Sequence, residues 1–168
     1  MEKASPLRPV DDEMRALARR LLEGATFGAL AVQLGAAGHP FVSRIALGHD
    51  SAGPLSLVSE LAQHTGALRA RPECALLVGE VGEKGDPLTH PRLSLQCVAE
   101  FVPRDAPGFA DLRAGWLKSH PKAKLYIDFA DFSFVRLQVR AAFLNGGFGL
   151  ASQLSGEDLG IEPTRGPA

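Results

Sequence analysis

Leu93-Ser94-Leu95-Gln96-Cys97-Val98-Ala99-Glu100-Phe101-Val102 is the stretch on which the fold turns. Leu93, Leu95, Cys97, Ala99 and Phe101 fall on one side, and Ser94, Gln96, Val98, Glu100 and Val102 on the other. That is the two-residue period of a strand. Working outward, apolar strand-like runs occur at 27–34, 41–47, 55–59, 74–81 and 132–144. In the last run Ser133, Val135, Leu137, Val139, Ala141 and Phe143 are expected to face one way. Gly35-Ala36-Ala37-Gly38-His39-Pro40 reads as a hairpin connection between the first two runs, slightly longer than the tightest kind.

Helical spacing interrupts these strands. A helix is predicted over 9–23, with Val10, Met14, Leu17, Ala18 and Leu21 on one face, Asp11, Asp12 and Glu13 in the first turn, and Arg19 and Arg20 in the last. Gly24 closes it as a C-terminal glycine. Leu61, Thr65 and Leu68 mark a short helix ended by Pro72, and Phe109, Leu112, Trp116 and Leu117 mark another. A further short helix is predicted from Pro121. Six strands in mostly antiparallel succession, with helices inserted irregularly, predict an α+β, mainly β chain that closes as a small barrel.

Composition bounds the function. The 168 residues are 45% apolar and 22% charged, which suits one compact domain over 1–160, with 161–168 expected as a disordered tail. Eighteen Lys and Arg against 19 Asp and Glu leave a net charge of -1, so no broad basic field for nucleic acid exists. No apolar leader opens the chain and no later run approaches a membrane span, so a cytoplasmic location is expected. Cys74 and Cys97 each lie in an apolar run without a second ligand at metal spacing, and read as small core residues.

Candidate chemistry concentrates between residues 43 and 65. Arg44 sits on an apolar strand, and a buried guanidinium there needs an anionic partner, either a protein carboxylate or a bound phosphate. Ser59 ends a strand just before a helix, where it reads as an N-cap, a phosphate ligand, or both. His64 and Thr65 follow on that helix. Arg92 opens the long central strand as a strand-end charge or as a group that reaches a ring edge or the same anion. Asn145-Gly146-Gly147-Phe148-Gly149-Leu150-Ala151 lacks the helix and acidic residue of a dinucleotide fingerprint. Its glycines instead suit a sharp exit from the last strand or close approach to something flat or to a partner chain. No nucleophile–base set and no metal-loop spacing emerges, and Asp128 and Asp131 read as cap and loop residues.

Five fragments occur in the order of a known pattern: Phe41-Val42-Ser43-Arg44-Ile45, 57–65, Asp86-Pro87-Leu88 with Pro91-Arg92-Leu93, Asp131-Phe132, and 146–151. On these, the chain resembles the pyridoxamine 5'-phosphate oxidase-like FMN-binding split barrels, and within them the haem-utilisation branch. The resemblance implies a six-stranded antiparallel split barrel that forms a homodimer with FMN at the subunit interface. It implies that Arg44 holds the FMN phosphate with Ser59, His64 and Thr65, that Ile45 and Val58 line the flavin, that Arg92 lies near ring or phosphate, and that Gln63 completes the set. His64-Thr65 stands where related proteins often place an Arg-Lys pair, and the arginine-rich C-terminal motif of the oxidase itself is absent. The implied function is an FMN-dependent oxidoreductase acting on an unassigned small molecule. The alternative is a haem-binding protein with little or no flavin, in which Asp128 or Asp131 lies near the haem. No histidine follows His120, so the C-terminal ligand of haem-binding members has no counterpart.

Overall fold

The computed structural model describes residues 7–147 and 149–162. Helix α1 (Asp12–Glu23) begins later than its apolar spacing predicts, because Asp11 caps it: its carboxylate accepts from the Met14 amide at 2.8 Å. Gly24 does not take the left-handed cap conformation, with φ -80°. It is still needed there, since a Cβ would stand 2.9 Å from the Arg20 carbonyl oxygen.

Eight strands follow rather than six. They are β1 (Phe27–Leu34), β2 (His39–Ala46), β3 (Gly48–Asp50), β4 (Gly53–Ser59), β5 (Glu73–Val78), β6 (Arg92–Val102), β7 (Phe132–Asn145) and β8 (Ala151–Leu154). Helix α2 (Gln63–Ala70) follows β4, and α3 (Phe109–Ser119) with a 3-10 turn (Pro121–Leu125) follows β6. The β1–β2 turn spans only 35–38, its first and last glycines both at φ 70°, so β2 starts two residues earlier than its apolar run. The added strands are the short ones. In β3 the Asp50 carboxylate accepts from the Ala52 amide at 2.9 Å, and Gly53 at φ 103° turns the chain into β4. In β8 the chain returns along the end of β7 after Gly147 and Gly149, both at positive φ, with Phe148 outside the described residues.

The strands pair antiparallel in the order β2-β1-β5-β6-β7-β4-β3, with β8 also on β7. β7 binds β6 along one edge, while its other edge is shared by β4 on its first half and β8 on its last. The half-barrel curls until the Ser56 hydroxyl on β4 donates to the Ala46 carbonyl on β2 at 2.7 Å. Inside lie Leu30, Ile45, Val58, Leu76, Leu95 and Leu137, with α1 closing one end through Met14, Ala18 and Leu22. The expected single alternation of β7 fails at a bulge: Cys97 pairs Val139 and Gln96 pairs Ala141, leaving Arg140 extra. Beyond it the phase flips, so Ala142 and Leu144 face inward and Phe143 outward. A second core lies under α3, where Leu55, Leu57 and Phe134 meet Trp116, Ala123 and Ile127.

Cys97 is buried, Cys74 is half-buried directly opposite it, and both are free, as expected of core residues. Burial raises the Cys74 thiol to about 11. Among the described residues no helix is long and apolar enough to cross a membrane. Of the expected tail, 163–168 lies outside the described residues, whereas the Ile161 and Glu162 amides donate to the Gly156 and Ser51 carbonyls at 2.9 Å.

The segment after β8 is tied to α1 by Asp158. Its carboxylate accepts from the Ser155 amide at 2.9 Å and the Ser155 hydroxyl at 3.0 Å, and from Arg15 Nε at 2.8 Å. These donors, the backbone one foremost, hold its pKa below the ordinary carboxylate value. A depressed folded pKa stabilises above the unfolded value and loses that contribution as pH falls through the carboxylate range. Asp158→Asn is therefore expected to cost about 1 kcal/mol at neutral pH, and little in acid where the wild-type carboxyl is already protonated. Urea unfolding at the two pH values measures the difference; an equal cost at both would contradict it.

Candidate functional site

The residues predicted to form one site divide between the two faces of the sheet. On β2, Ser43 and Ile45 face the barrel interior while Val42 and Arg44 face out. Arg44 is thus exposed rather than buried, its guanidinium 5.3 Å from the centre of the Phe27 ring. Arg92 is on the same outer face, where its Nη1 donates to the Leu88 carbonyl at 2.9 Å and folds the 87–90 turn back on β6. Ile45 and Val58 are core residues, exposed by 5% and 2%, so their side chains serve packing.

Ser59, His64 and Thr65 do come together, but the hydroxyls of Ser59 and Thr65 are already committed. The Ser59 hydroxyl donates to the Asp131 carboxylate at 3.0 Å and accepts from the Leu61 amide at 3.1 Å. It does not cap α2: a turn in which the Ala62 amide donates to the Ser59 carbonyl intervenes, and the helix starts at Gln63, which is exposed. Thr65 is fully buried, and its hydroxyl donates to that same Ser59 carbonyl at 2.7 Å. The cation of α2, Arg69, is held by Glu60 and lies 3.8 Å over the Phe101 ring.

Register separates Arg92 from this cluster as well. Ser59 pairs Phe132 at the start of β7 and Arg92 pairs Asn145 at its end. Thirteen positions of strand correspond to about 40 Å along β7. Within one protomer, then, Arg44, Arg92 and the Ser59–Thr65 turn do not form one phosphate site. The turn presents a carboxylate, Asp131, where a phosphate would need a cation.

His64 has the more distinctive environment. Its Nδ1 is 3.0 Å from Ser43 Oγ, a contact between α2 and β2 that residue spacing alone does not reveal. Burial, the sole cause, lowers its pKa, so the ring is neutral at physiological pH. When Nδ1 is the donor to Ser43, Nε2 carries the free lone pair. A neutral imidazole oriented through its other nitrogen is a metal donor with its supporting contact already in place. Leu61, three residues before it in the turn that leads into α2, is 88% exposed and offers apolar surface.

The outer face of the half-barrel is a second feature. Across the register run Arg44, Ala29, Leu77, Ser94 and Phe143, and in the next row Val42, Ala31, Ala75, Gln96 and Ala141. Small and apolar side chains dominate, and Val42 and Leu77 are 62% and 42% exposed. Four strand spacings make this face about 19 Å wide.

No protein-family model matches the chain. It is 33% identical over 158 residues to a chloroplastic non-canonical haem oxygenase of Arabidopsis thaliana, an alignment covering 93% of this chain and 46% of that protein. The chain thus spans about half the length of that curated relative. The solved haem-binding protein of Mycobacterium smegmatis is 30% identical with a TM-score of 0.79, covering 92% of this chain and 61% of that one. A protein of the pyridoxinephosphate oxidase family from Clostridium acetobutylicum shares the fold at 12% identity, with a TM-score of 0.67 and coverage of 89% and 99%.

Proposed function

We propose, from the premise that the chain is a split barrel of the pyridoxamine 5'-phosphate oxidase-like kind with haem-utilisation proteins among its relatives, that it is a haem-binding protein acting as a homodimer. The observation that carries this reading is His64, a neutral, half-buried imidazole fixed through Nδ1 by Ser43, on a helix whose preceding turn exposes Leu61. The same turn lacks the cations of a phosphate site. The two relatives at 30% identity or more named above both carry haem in their descriptions.

In this reading His64 would hold the iron through Nε2, Ser43 orients the ring, and exposed Leu61 would offer apolar surface to the porphyrin. Haem, when bound, supplies the iron that binds and activates small ligands. Asp131 accepts from the Ser59 hydroxyl and, through its carbonyl, from the Glu60 amide, which fixes the conformation of that turn. The homodimer forms through the outer face, because an apolar sheet surface of this extent is rarely left to solvent and a two-fold axis matches one such face to its copy. Arg44 and Arg92 then lie in or beside the interface. That placement is what favours the second reading, FMN bound between subunits, since it gathers outward-facing cations that one protomer keeps apart.

Titration with haemin tests the proposal. Wild-type protein is expected to give a saturable Soret band, with affinity about 10-fold or more weaker and a shifted band in His64→Ala. Ser43→Ala is expected to weaken binding about 10-fold, as loss of an orienting contact does. A Soret band of unchanged position and affinity in His64→Ala would overturn the assignment of the ligand.

A further inference from the structure

The surface formed by the end of α3 and the 3-10 turn after it carries charge of one sign. From residue 112 to 127 the sequence holds Arg113, Lys118, Lys122 and Lys124 and no carboxylate, in a chain whose net charge is -1. The three lysines are exposed, and among the described residues none of them forms an ion pair. The carboxylates at either end of this stretch do not cancel them. Asp128 is taken by Arg113, whose Nε and Nη2 donate to its two oxygens at 2.8 and 2.6 Å. Asp111 lies in the first turn of α3, about 10 Å along the axis before Lys118. Arg104 adds a further cation, its guanidinium donating to the Phe129 and Phe132 carbonyls.

Large apolar side chains stand among these cations. Ala123 and Ile127, fully buried, root the segment in the smaller core. Successive turns keep it compact: the Tyr126 and Ile127 amides donate to the Ala123 carbonyl at 3.0 and 2.8 Å, and the Phe129 amide donates to the Tyr126 carbonyl at 2.9 Å. With that side committed to the core, Leu125 and Phe129 are left to solvent, 79% and 57% exposed. Side chains three apart eclipse in a 3-10 turn, so Lys122 and Leu125 project together.

Unpaired lysines around protruding apolar side chains complement a surface that is anionic outside and apolar beneath. A bilayer with acidic headgroups has that order, and it receives protruding side chains without a matching pocket. An acidic protein would satisfy the lysines but would have to supply a hollow for Leu125 and another for Phe129. We propose that this surface docks on an anionic lipid bilayer, with Leu125 and Phe129 entering the headgroup region and Lys118, Lys122 and Lys124 over the acidic headgroups. The contact is with one face of the membrane and is not a span. It uses none of the residues assigned to haem, so it stands or falls apart from that reading.

Co-sedimentation of the full chain with vesicles tests the proposal. Phosphatidylcholine vesicles containing about 30% phosphatidylserine are expected to bind wild-type protein at low salt, at least about 10-fold more tightly than phosphatidylcholine alone, and to release it as salt rises. Changing Lys118, Lys122 and Lys124 together to alanine is expected to weaken binding about 100-fold, and Leu125→Ser with Phe129→Ser about 10-fold, both with wild-type circular dichroism. Leu125→Trp is expected to give emission that brominated lipid in the vesicles quenches, which insertion alone produces. The proposal is overturned if wild-type protein binds both vesicle types equally or neither, or if the folded triple-lysine variant binds as the wild type does. It is also overturned by binding without quenching in Leu125→Trp, which means an electrostatic contact only. Binding to polyglutamate but not to the acidic vesicles would overturn it in favour of an acidic protein partner.

Discussion

Truncating Phe134 to alanine is expected to destabilise the protein by about 3–5 kcal/mol. Phe134 is 1% exposed and meets Phe109 and Trp116 edge-to-face, with ring centres 5.7 and 5.6 Å away. It is the central residue of the smaller core, the one that seats α3 on β4 and β7. Edge-to-face pairs add about 0.5–1.5 kcal/mol to area burial, and a core only a few side chains thick collapses poorly around a void. The net stability of a single domain is about 5–15 kcal/mol, so the loss is a large fraction of the whole. Urea unfolding of Phe134→Ala and of the volume-sparing Phe134→Leu measures it. The leucine variant is expected to lose less than half as much, and a cost of under about 1 kcal/mol for alanine would contradict the packing described.

Leu77→Glu is expected to convert a dimer into a monomer. Leu77 lies in the middle strand of the outer face, between Ala29 on β1 and Ser94 on β6, and is 42% exposed in the single chain. In a two-fold interface a carboxylate there is desolvated against apolar surface, and like charges brought close across such an interface cost several kcal/mol. The dimer dissociation constant should rise by more than about 100-fold, since each 1.4 kcal/mol is tenfold. Light scattering on a sizing column would then give 17.8 kDa in place of twice that mass. Because the residue faces out and packs against nothing within the barrel core, the thermal unfolding of the monomer should remain cooperative. A folded Leu77→Glu that keeps the mass of the dimer would show that this face is not the interface.

Much of the frame was legible because it follows from local period. The alternation of 93–102 marks β6, and the helical spacings around Met14, Leu68 and Trp116 mark the three helices. Legibility ended where two elements rather than one decide the outcome. The bulge at Arg140 is set by pairing between Gln96 and Ala141, so the run 132–144 gives no hint of its phase flip. The three residues of β3 are too few to show a period, although Asp50 and Gly53 flank a turn of recognisable chemistry. β8 is concealed by the glycines before it.

The site divides in the same way. The stretch 43–65 does hold the polar cluster, but residue type alone could not say which groups are already spent. Arg44 alternates outward because Ile45 is needed in the core. Thr65 and Ser59 satisfy each other and Asp131. The Ser43–His64 contact joins residues 21 apart in sequence, and no spacing rule predicts it.

The account rests on the claim that this barrel holds haem at His64 and not FMN through Arg44. Absorption spectra of the purified protein incubated with haemin and FMN together, then freed of unbound ligand, test that most directly. The prediction is a Soret band at one haem per chain with no retained flavin absorbance in the wild type, a band unchanged in Arg44→Ala, and a band weakened and shifted in His64→Ala. Retained FMN that is lost in Arg44→Ala, with no Soret band, would contradict it.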